Sequence, residues 1–245
     1  MLLRWISGVD KDGGVIYRYC DHTQIENVDI KWRLKMFFEQ GGDMLYEHGP
    51  CRVQQGDVVF DLGCNIGLWS MYAIQRGAAR VIAYEPNVAN YECARDNIIR
   101  QALISGLHPD ACTIHNTAIA SHDDRLPFYE SETVSQHGLV DRGHGNPFRM
   151  VECWTMDTAI ERAGIDHIDY WKVDANASEY MVVRGLSDAN LAKIRKLAMQ
   201  YHHWVKDHDP DFVDTWIGRL RDSGFQVYRG RSNQFGDFYI HAWRE

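Results

Sequence analysis

Residues 56–70 read GDVVFDLGCNIGLWS, and the fold is decided there. Val58, Val59 and Phe60 form an apolar run with no polar alternation, the pattern of a strand buried on both faces of a parallel sheet. The run closes on Asp61, and Gly63, Asn65 and Gly67 then lead into Leu68-Trp69-Ser70-Met71-Tyr72-Ala73. Glycines permit a sharp turn and a close approach of backbone to a ligand, and a helix opens with N–H groups that have no intrahelical partner. A strand, a tight turn and a helix are therefore expected in that order. The spacing G-x-N-x-G differs from the G-x-G-x-x-G that cradles a dinucleotide pyrophosphate. Such a turn also occurs as a purely structural device, so its meaning depends on the residues downstream of it.

Gly77-Ala78-Ala79 breaks the helix, and Arg80-Val81-Ile82-Ala83-Tyr84 reads as a second buried strand that ends in Glu85-Pro86-Asn87. A carboxylate at the tip of the second strand of a βαβ unit accepts hydrogen bonds from both hydroxyls of a ribose. Each bond to a charged acceptor is worth about 1.5–3 kcal/mol, enough to orient a nucleoside.

VVFDLGCNIGLWSMYA (58–73) followed by VIAYEPN (81–87) resembles the first two motifs of the class I S-adenosylmethionine methyltransferases. Within them it is most similar to the FkbM-type family, whose turn runs D-x-G-x-N-x-G and whose second strand ends E-P. NTAIAS (116–121), TMDTAI (155–160) and IDYWKVDANASEYMVVRGL (168–186) fit as well, so the resemblance spans residues 45–230. It implies an α/β, Rossmann-like fold: a mostly parallel twisted sheet flanked by helices, with an antiparallel C-terminal strand. It also implies S-adenosyl-L-methionine as methyl donor, S-adenosyl-L-homocysteine as product, and O-methylation of a hydroxyl on a small metabolite or sugar residue. Carried over residue by residue, the cofactor contacts are Asp61, Gly63, Asn65, Gly67, Glu85, Pro86, Asn87, Thr117, Ala118 and Asp174. Asp61 is expected to hold the turn or the cofactor's amino group. The family's K-x-D-x-E-G-x-E appears here as Lys172-Val173-Asp174-Ala175-Asn176-Ala177-Ser178-Glu179, with Asn176 for the inner acid and Ala177 for the glycine. Gln200 stands where a glutamate is frequent. Loss of anionic oxygens disfavours a divalent-metal site, and no metal is expected.

The 245 residues suit one α/β domain over 46–245, preceded by an extension over 1–45 that covers the site. That extension reads as a hairpin within 1–25 and a helix over 27–40 capped by Asn27. A formal charge of −8 argues against a non-specific nucleic-acid binder, which needs a cationic surface. No apolar run approaches the ~20 residues of a membrane span, and Met1-Leu2-Leu3-Arg4 lacks the apolar core of a secretion signal. A cytoplasmic protein with a small-molecule or glycosyl acceptor is expected; its oligomeric state is not written in the sequence. The six cysteines form no C-x-x-C pair and read as reduced structural thiols. Cys64 reads as a packing residue under the ligand.

Tyr46 and Glu47 precede the first core strand; they either reach the methionine end of the cofactor or make surface contacts in a connecting loop. A helix over 88–103 has Val88, Tyr91, Ala94 and Ile98 at helical spacing, and a third strand covers 113–119. Strands over 125–130 and 149–154 bracket the polar loop VSQHGLVDRGHGNPF (134–148), a length that belongs to a functional lid or to disorder. Ser135 and His137 of this loop, with Tyr46, Glu47 and Asn176, are the substrate-side or lid candidates, and H-x6-H in such a loop is weak evidence for a metal. Strands over 168–174 and 197–203 are separated by helices over 179–185 and 187–193. His202 and His203 fall at the end of the second of these strands and point to opposite sides. His202 is the candidate base, since an unperturbed imidazole suits that work, with Asp174 beside it; a structural histidine is the rival reading. A helix from 210 packs Phe212, Val213, Trp216, Ile217 and Leu220 inward. Strands over 225–228 and 238–242 then close the sheet, and the loop between them, Arg229 to Gln234, binds an anion or is a solvated turn. Two other functions fit the same core. One is a catalytically silent S-adenosylmethionine-binding protein, in view of Asn176, Ala177 and Gln200. The other is a nicotinamide-dependent dehydrogenase, disfavoured by the missing third glycine.

Overall fold

The structure is a computed structural model that describes residues 3–8, 15–20, 45–130, 137–141, 148–203, 209, 211–232 and 236–245. Its main sheet is built from β3 (Val58–Leu62), β4 (Arg80–Tyr84), β5 (Cys112–His115), β9 (Ile168–Val173), β10 (Ile194–Tyr201), β11 (Gln226–Arg229) and β12 (Phe238–Trp243). Their order across the sheet is β5-β4-β3-β9-β10-β12-β11. The first five are mutually parallel, and β12 lies antiparallel between β10 and β11.

Period-two alternation divides the apolar strands between two cores. Phe60, Leu62, Ile82, Tyr84, Trp171 and Val173 face one layer, where α3 (Met156–Ala163), α4 (Glu179–Arg184) and α6 (Phe212–Asp222) pack. Val59, Val81, Ala83 and Tyr170 face the other, covered by α1 (Leu68–Gln75) and α2 (Val88–Ile104). Every residue of β9 is buried, as a strand covered on both faces requires. The chain leaves β3 for β4 and β5 on one side and returns to β9 and β10 on the other. A crevice opens at such a switch point, beyond the carboxyl ends of the strands.

Three sequence expectations are corrected. The third strand does not run over 113–119. β5 stops at His115, and β6 (Ala118–Ile119) leaves the sheet to pair in parallel with β8 (Phe148–Trp154), which is antiparallel to β7 (Asp124–Tyr129). The break is Asn116, whose Nδ2 donates to the carbonyls of Glu85 and Pro86 at 2.9 and 3.0 Å. In α2 the buried stripe is Asn90, Cys93, Ala94, Asn97, Ile98, Gln101 and Ala102, so Val88 is exposed and Tyr91 half-buried. Asn87 fixes that rotation by accepting from the N–H groups of Ala89 and Asn90, and Asn97 Nδ2 donates to Ile66 O at 2.7 Å. The inner face is partly polar, which an apolar pattern misses. β10 begins at Ile194 and ends at Tyr201, leaving His202 and His203 just past the strand; His202 is buried and His203 exposed.

The N-terminal hairpin pairs β1 (Leu3–Gly8) with β2 (Val15–Cys20) in antiparallel register; the expected helix over 27–40 lies outside the described residues. α5 (Asp188–Leu191) is a single turn capped by Ser187. Among the described residues no helix is long and apolar enough to cross a membrane. Cys51, Cys64, Cys93, Cys112 and Cys153 are all buried. Burial pushes the Cys51 thiol up to about 12 and Cys64 well above the usual range, so neither is a thiolate nucleophile at neutral pH.

Candidate functional site

A crevice of about 650 Å³, counted with the open solvent at its mouth, sits at the carboxyl ends of β3, β4 and β9. Gly63, Asn65, Glu85, Pro86, Thr117, Ala118, His137, Asp174 and Asn176 all line it. Its apolar wall includes Phe128, Leu139 and Val182, and Asn90 also faces it. The sequence pattern singles out none of these four for the site. A signal does exist for Asn90, which stands one helical turn beyond the tip of β4, whereas Phe128 and Leu139 come from the small sheet and its loop.

The turn between β3 and α1 is shaped by the backbone. Gly63 has φ 68°, and a Cβ there would lie 1.9 Å from the carbonyl oxygen of Asp174. Only glycine lets the first turn and the end of β9 approach this closely. The N–H groups of Gly63 and Cys64 both donate to Tyr84 O at 3.0 Å. Gly67 (φ 84°) opens α1, and a Cβ there would lie 3.0 Å from Ile98 and 3.2 Å from Ala94 of α2, so it lets the turn sit close to that helix. Asp61 is likewise a support and lines no crevice. Wholly buried, it accepts from Ser70 Oγ at 2.6 Å and pairs with Lys172 Nζ at 2.9 Å. Lys172 Nζ also donates to Gly63 O at 2.9 Å, so the buried pair fixes the turn from below. Of the two roles expected for Asp61, the geometry favours holding the turn.

Glu85 joins the two strand tips. Its Oε2 accepts from the N–H of Asn65 at 2.9 Å and its Oε1 from the N–H of Asn87 at 2.8 Å. Burial raises its pKa to about 7 against the pull of these two bonds. A carboxylate has about four acceptor sites, so each oxygen keeps capacity for a further donor. Asn87, expected to touch the cofactor, is occupied as the helix cap, and its Nδ2 lies 3.3 Å from Glu130 Oε1.

On the other side of the turn lies a smaller crevice of about 290 Å³, lined by Tyr46, Gly63, Asn65, Leu68, Trp69 and Lys172 among others. The indole N–H of Trp69 is buried without a hydrogen-bond partner among the described residues. Tyr46 OH donates to Asp174 Oδ2 at 2.7 Å and lies 3.1 Å from Gln200 Oε1, which Tyr239 OH also reaches at 3.1 Å. Glu47 faces neither crevice. It is buried, accepting from Val53 N at 3.0 Å and from Tyr72 OH at 3.0 Å. It braces the chain before β3 against α1, so neither the cofactor contact nor the surface contact expected of it describes its place.

His202 does not line the crevice; it stands behind Asp174. Its Nδ1 is 2.9 Å from Glu179 Oε1 and its Nε2 is 3.9 Å from Asp174 Oδ1. Burial alone drives such an imidazole down, but the charge and hydrogen bond of Glu179, with Asp174 and Asp237, outweigh it and raise the pKa to about 9. At neutral pH the ring is therefore an imidazolium, which has no free lone pair to take a proton. The same Glu179 oxygen accepts from the N–H groups of Ala175 and Ala177, each at 3.1 Å. Asn176 and Ala177 have φ of 47° and 76°, and Asn176 Nδ2 donates to His137 O at 2.8 Å, tying the β7–β8 loop to the tip of β9. Ser135 lies outside the described residues. Among those described, no cluster of three or more His, Cys, Asp or Glu side chains is arranged to hold a metal ion.

The Methyltransferase FkbM domain profile matches residues 61–227. The 31-O-demethyl-FK506 methyltransferase FkbM of Streptomyces tacrolimicus is 25% identical over 226 residues, covering 81% of this chain and 84% of that one. Methyltransferase sdnD of Sordaria araneosa is 23% identical over 202 residues, covering 71% and 75%. A solved methyltransferase FkbM from Methylobacillus flagellatus KT superimposes with a TM-score of 0.58 at 18% identity, over 82% of this chain and 47% of that one. The chain thus spans about half of that protein, and the likeness is one of fold. The fold is the Rossmann-like one of methyltransferases, with its antiparallel C-terminal strands. Because the matched region runs from Asp61 through Glu85, Asp174 and His202, with every residue that lines the larger crevice inside it, the chain belongs to the FkbM family of methyltransferases.

Proposed function

We propose that this protein is an S-adenosyl-L-methionine-dependent O-methyltransferase that acts on a hydroxyl of a small metabolite or glycosyl residue. The observation that carries the reading is Glu85. Its two oxygens are pinned by one backbone N–H each at the tip of β4, in a position from which the ionised carboxylate accepts a vicinal diol. A second observation fits the donor's amino-acid end: the Trp69 N–H, without a hydrogen-bond partner among the described residues, belongs to a residue of the smaller crevice, across the turn from Glu85. The acceptor class is that of the relative named for methylating 31-O-demethyl-FK506.

S-adenosylmethionine, when bound, supplies an electrophilic methyl group on a sulfonium sulfur. Glu85 would hold the ribose, Thr117 and Ala118 would flank the adenine, and Trp69 with the Gly63–Asn65 backbone would hold the methionine end. Alignment of a nucleophile by such fixed groups is worth up to about 7–11 kcal/mol of the barrier. Asp174 is the proton acceptor in this reading, because it lines the crevice while His202 is already charged. Taking the hydroxyl proton as the new bond forms typically adds 10²–10⁴-fold. Tyr46 keeps Oδ2 of Asp174 oriented, and the His202 ring stands 3.9 Å from its Oδ1.

Titration calorimetry with S-adenosylmethionine and S-adenosylhomocysteine, together with mass spectrometry of a panel of hydroxylated acceptors, tests the proposal. Binding and a mass gain of one methyl on an acceptor oxygen are expected. No binding of either compound refutes it. Binding without transfer to any acceptor favours the silent-binder reading, which the substitutions at Asn176, Ala177 and Gln200 support.

A further inference from the structure

Glu179 is almost completely buried at the first position of α4, and the proposed chemistry leaves it without a task. A carboxylate in such a place needs donors, and this one has three on a single oxygen: Nδ1 of His202 and the N–H groups of Ala175 and Ala177. Those partners belong to two structures that flank Asp174. His202 comes just after β10 and brings its Nε2 to 3.9 Å from Asp174 Oδ1. The 175–178 turn continues directly from Asp174, and it passes through two left-handed residues, Asn176 and Ala177. Non-glycine residues in that region cost about 1–2 kcal/mol each, so the turn needs an external hold, which Oε1 of Glu179 provides. Ser178 Oγ adds a bond to Ala175 O at 2.5 Å.

We propose that Glu179 is a positioning residue for methyl transfer: through one oxygen it holds His202 behind Asp174 and the 175–178 turn in front of it, so that the Asp174 carboxylate presents one orientation to the acceptor. This rests on the functional reading above. Glu179 does not touch the acceptor; it acts through Asp174. Among the described residues, the charged groups facing His202 are Glu179 at the start of α4, Asp174 at the end of β9, and Asp237 before β12. Glu179 is in direct hydrogen-bond contact with His202.

The test compares the full-length protein with Glu179→Gln and Glu179→Asp. The amide oxygen of Gln still accepts from the backbone but carries no charge, so folding and donor affinity are preserved while the hold on His202 weakens. For Glu179→Gln the expected results are a donor dissociation constant within about twofold of wild type and kcat lowered by about tenfold or more, in the range of a general-base contribution. The ¹⁵N-detected titration of His202 moves down from near pH 9, and the alkaline limb of the kcat profile moves with it. Glu179→Asp keeps the charge and restores the position of that limb. Two results overturn the proposal: a His202 titration and pH profile unchanged in Glu179→Gln, or a parallel loss of donor binding and kcat that marks a merely structural residue. Failure of the functional reading is distinguishable, since it appears as absence of methyl transfer by the wild-type protein, whereas the His202 titration is read without any acceptor.

Discussion

Glu85 gives the site a dependence on pH that can be worked out from its surroundings. Two backbone N–H groups hold the carboxylate in place, yet burial raises its pKa to about 7. A ribose diol donates two hydrogen bonds, so the binding-competent form is the ionised one. The apparent affinity of a ligand is reduced by the fraction of protein in the competent state. With a pKa of about 7, that fraction is about one in ten at pH 6 and nine in ten at pH 8, so the dissociation constant for S-adenosylmethionine is expected to fall about tenfold over this interval. In Glu85→Ala the two charged bonds are absent. Even one at the low end, about 1.5 kcal/mol, is worth tenfold in affinity, so the loss at pH 8 is at least tenfold, and the pH slope disappears. Calorimetric titration at half-unit steps from pH 6 to 8 measures both, with S-adenosylhomocysteine as a neutral-sulfur control for any effect of the sulfonium charge. A wild-type constant that does not vary with pH, or a Glu85→Ala variant that keeps the slope, refutes the assignment. The folded state runs in the opposite sense. A carboxyl whose folded pKa lies above its unfolded value binds the extra proton when folded, so this group's contribution to stability is full below pH 4.5 and is lost as pH rises through 7.

The same geometry sets three further outcomes. Ala177→Gly relieves about 1–2 kcal/mol of left-handed strain at φ 76° and returns about 0.4–1 kcal/mol to the unfolded chain, so urea denaturation is expected to show a net gain of about 0.5–1 kcal/mol; a loss of stability contradicts the strained turn. Lys172→Met leaves Asp61 charged and buried without its counter-ion, at a cost of about 3–5 kcal/mol, and a denaturation midpoint equal to wild type would show that the pair is not needed. Gly63→Ala puts a methyl group 1.9 Å from the Asp174 carbonyl, so calorimetry is expected to find donor binding abolished; wild-type affinity in a folded variant would mean that the turn does not cradle the donor.

Much of the scaffold is legible in the sequence because the runs over 58–60 and 81–84 carry no polar alternation, the pattern of strands covered on both faces of a parallel sheet. The motifs around Gly63 and Glu85 locate the crevice for the same reason, since the turn and the carboxylate belong to consecutive strand tips. What is hidden is the partner of each polar side chain. Asp61, Glu47 and Asn87 are the right chemical types for a ligand contact, but Lys172, Tyr72 and the start of α2 claim them first. The state of His202 depends on Glu179, which comes from a different element, so an ordinary imidazole is the natural reading of the sequence and an imidazolium is what the fold produces. The inner face of α2 hides in the same way, because Asn90, Asn97 and Gln101 are buried there by hydrogen bonds and shape.

The departure of the chain at Asn116 has a further consequence. β6, β7 and β8 carry a core of their own, with Ala118, Ala120, Phe128, Val151 and Cys153 packed together, and Phe128 from this core forms part of the crevice wall. The turn at Gly63 and the tip of β4 at Glu85 belong to the main sheet, whereas the wall at Phe128 rests on this second core. Under the proposed function, changes at Phe128 in β7 would reshape the wall of the chamber while leaving Gly63 and Glu85 in place, a route by which one scaffold could be retuned from one acceptor to another.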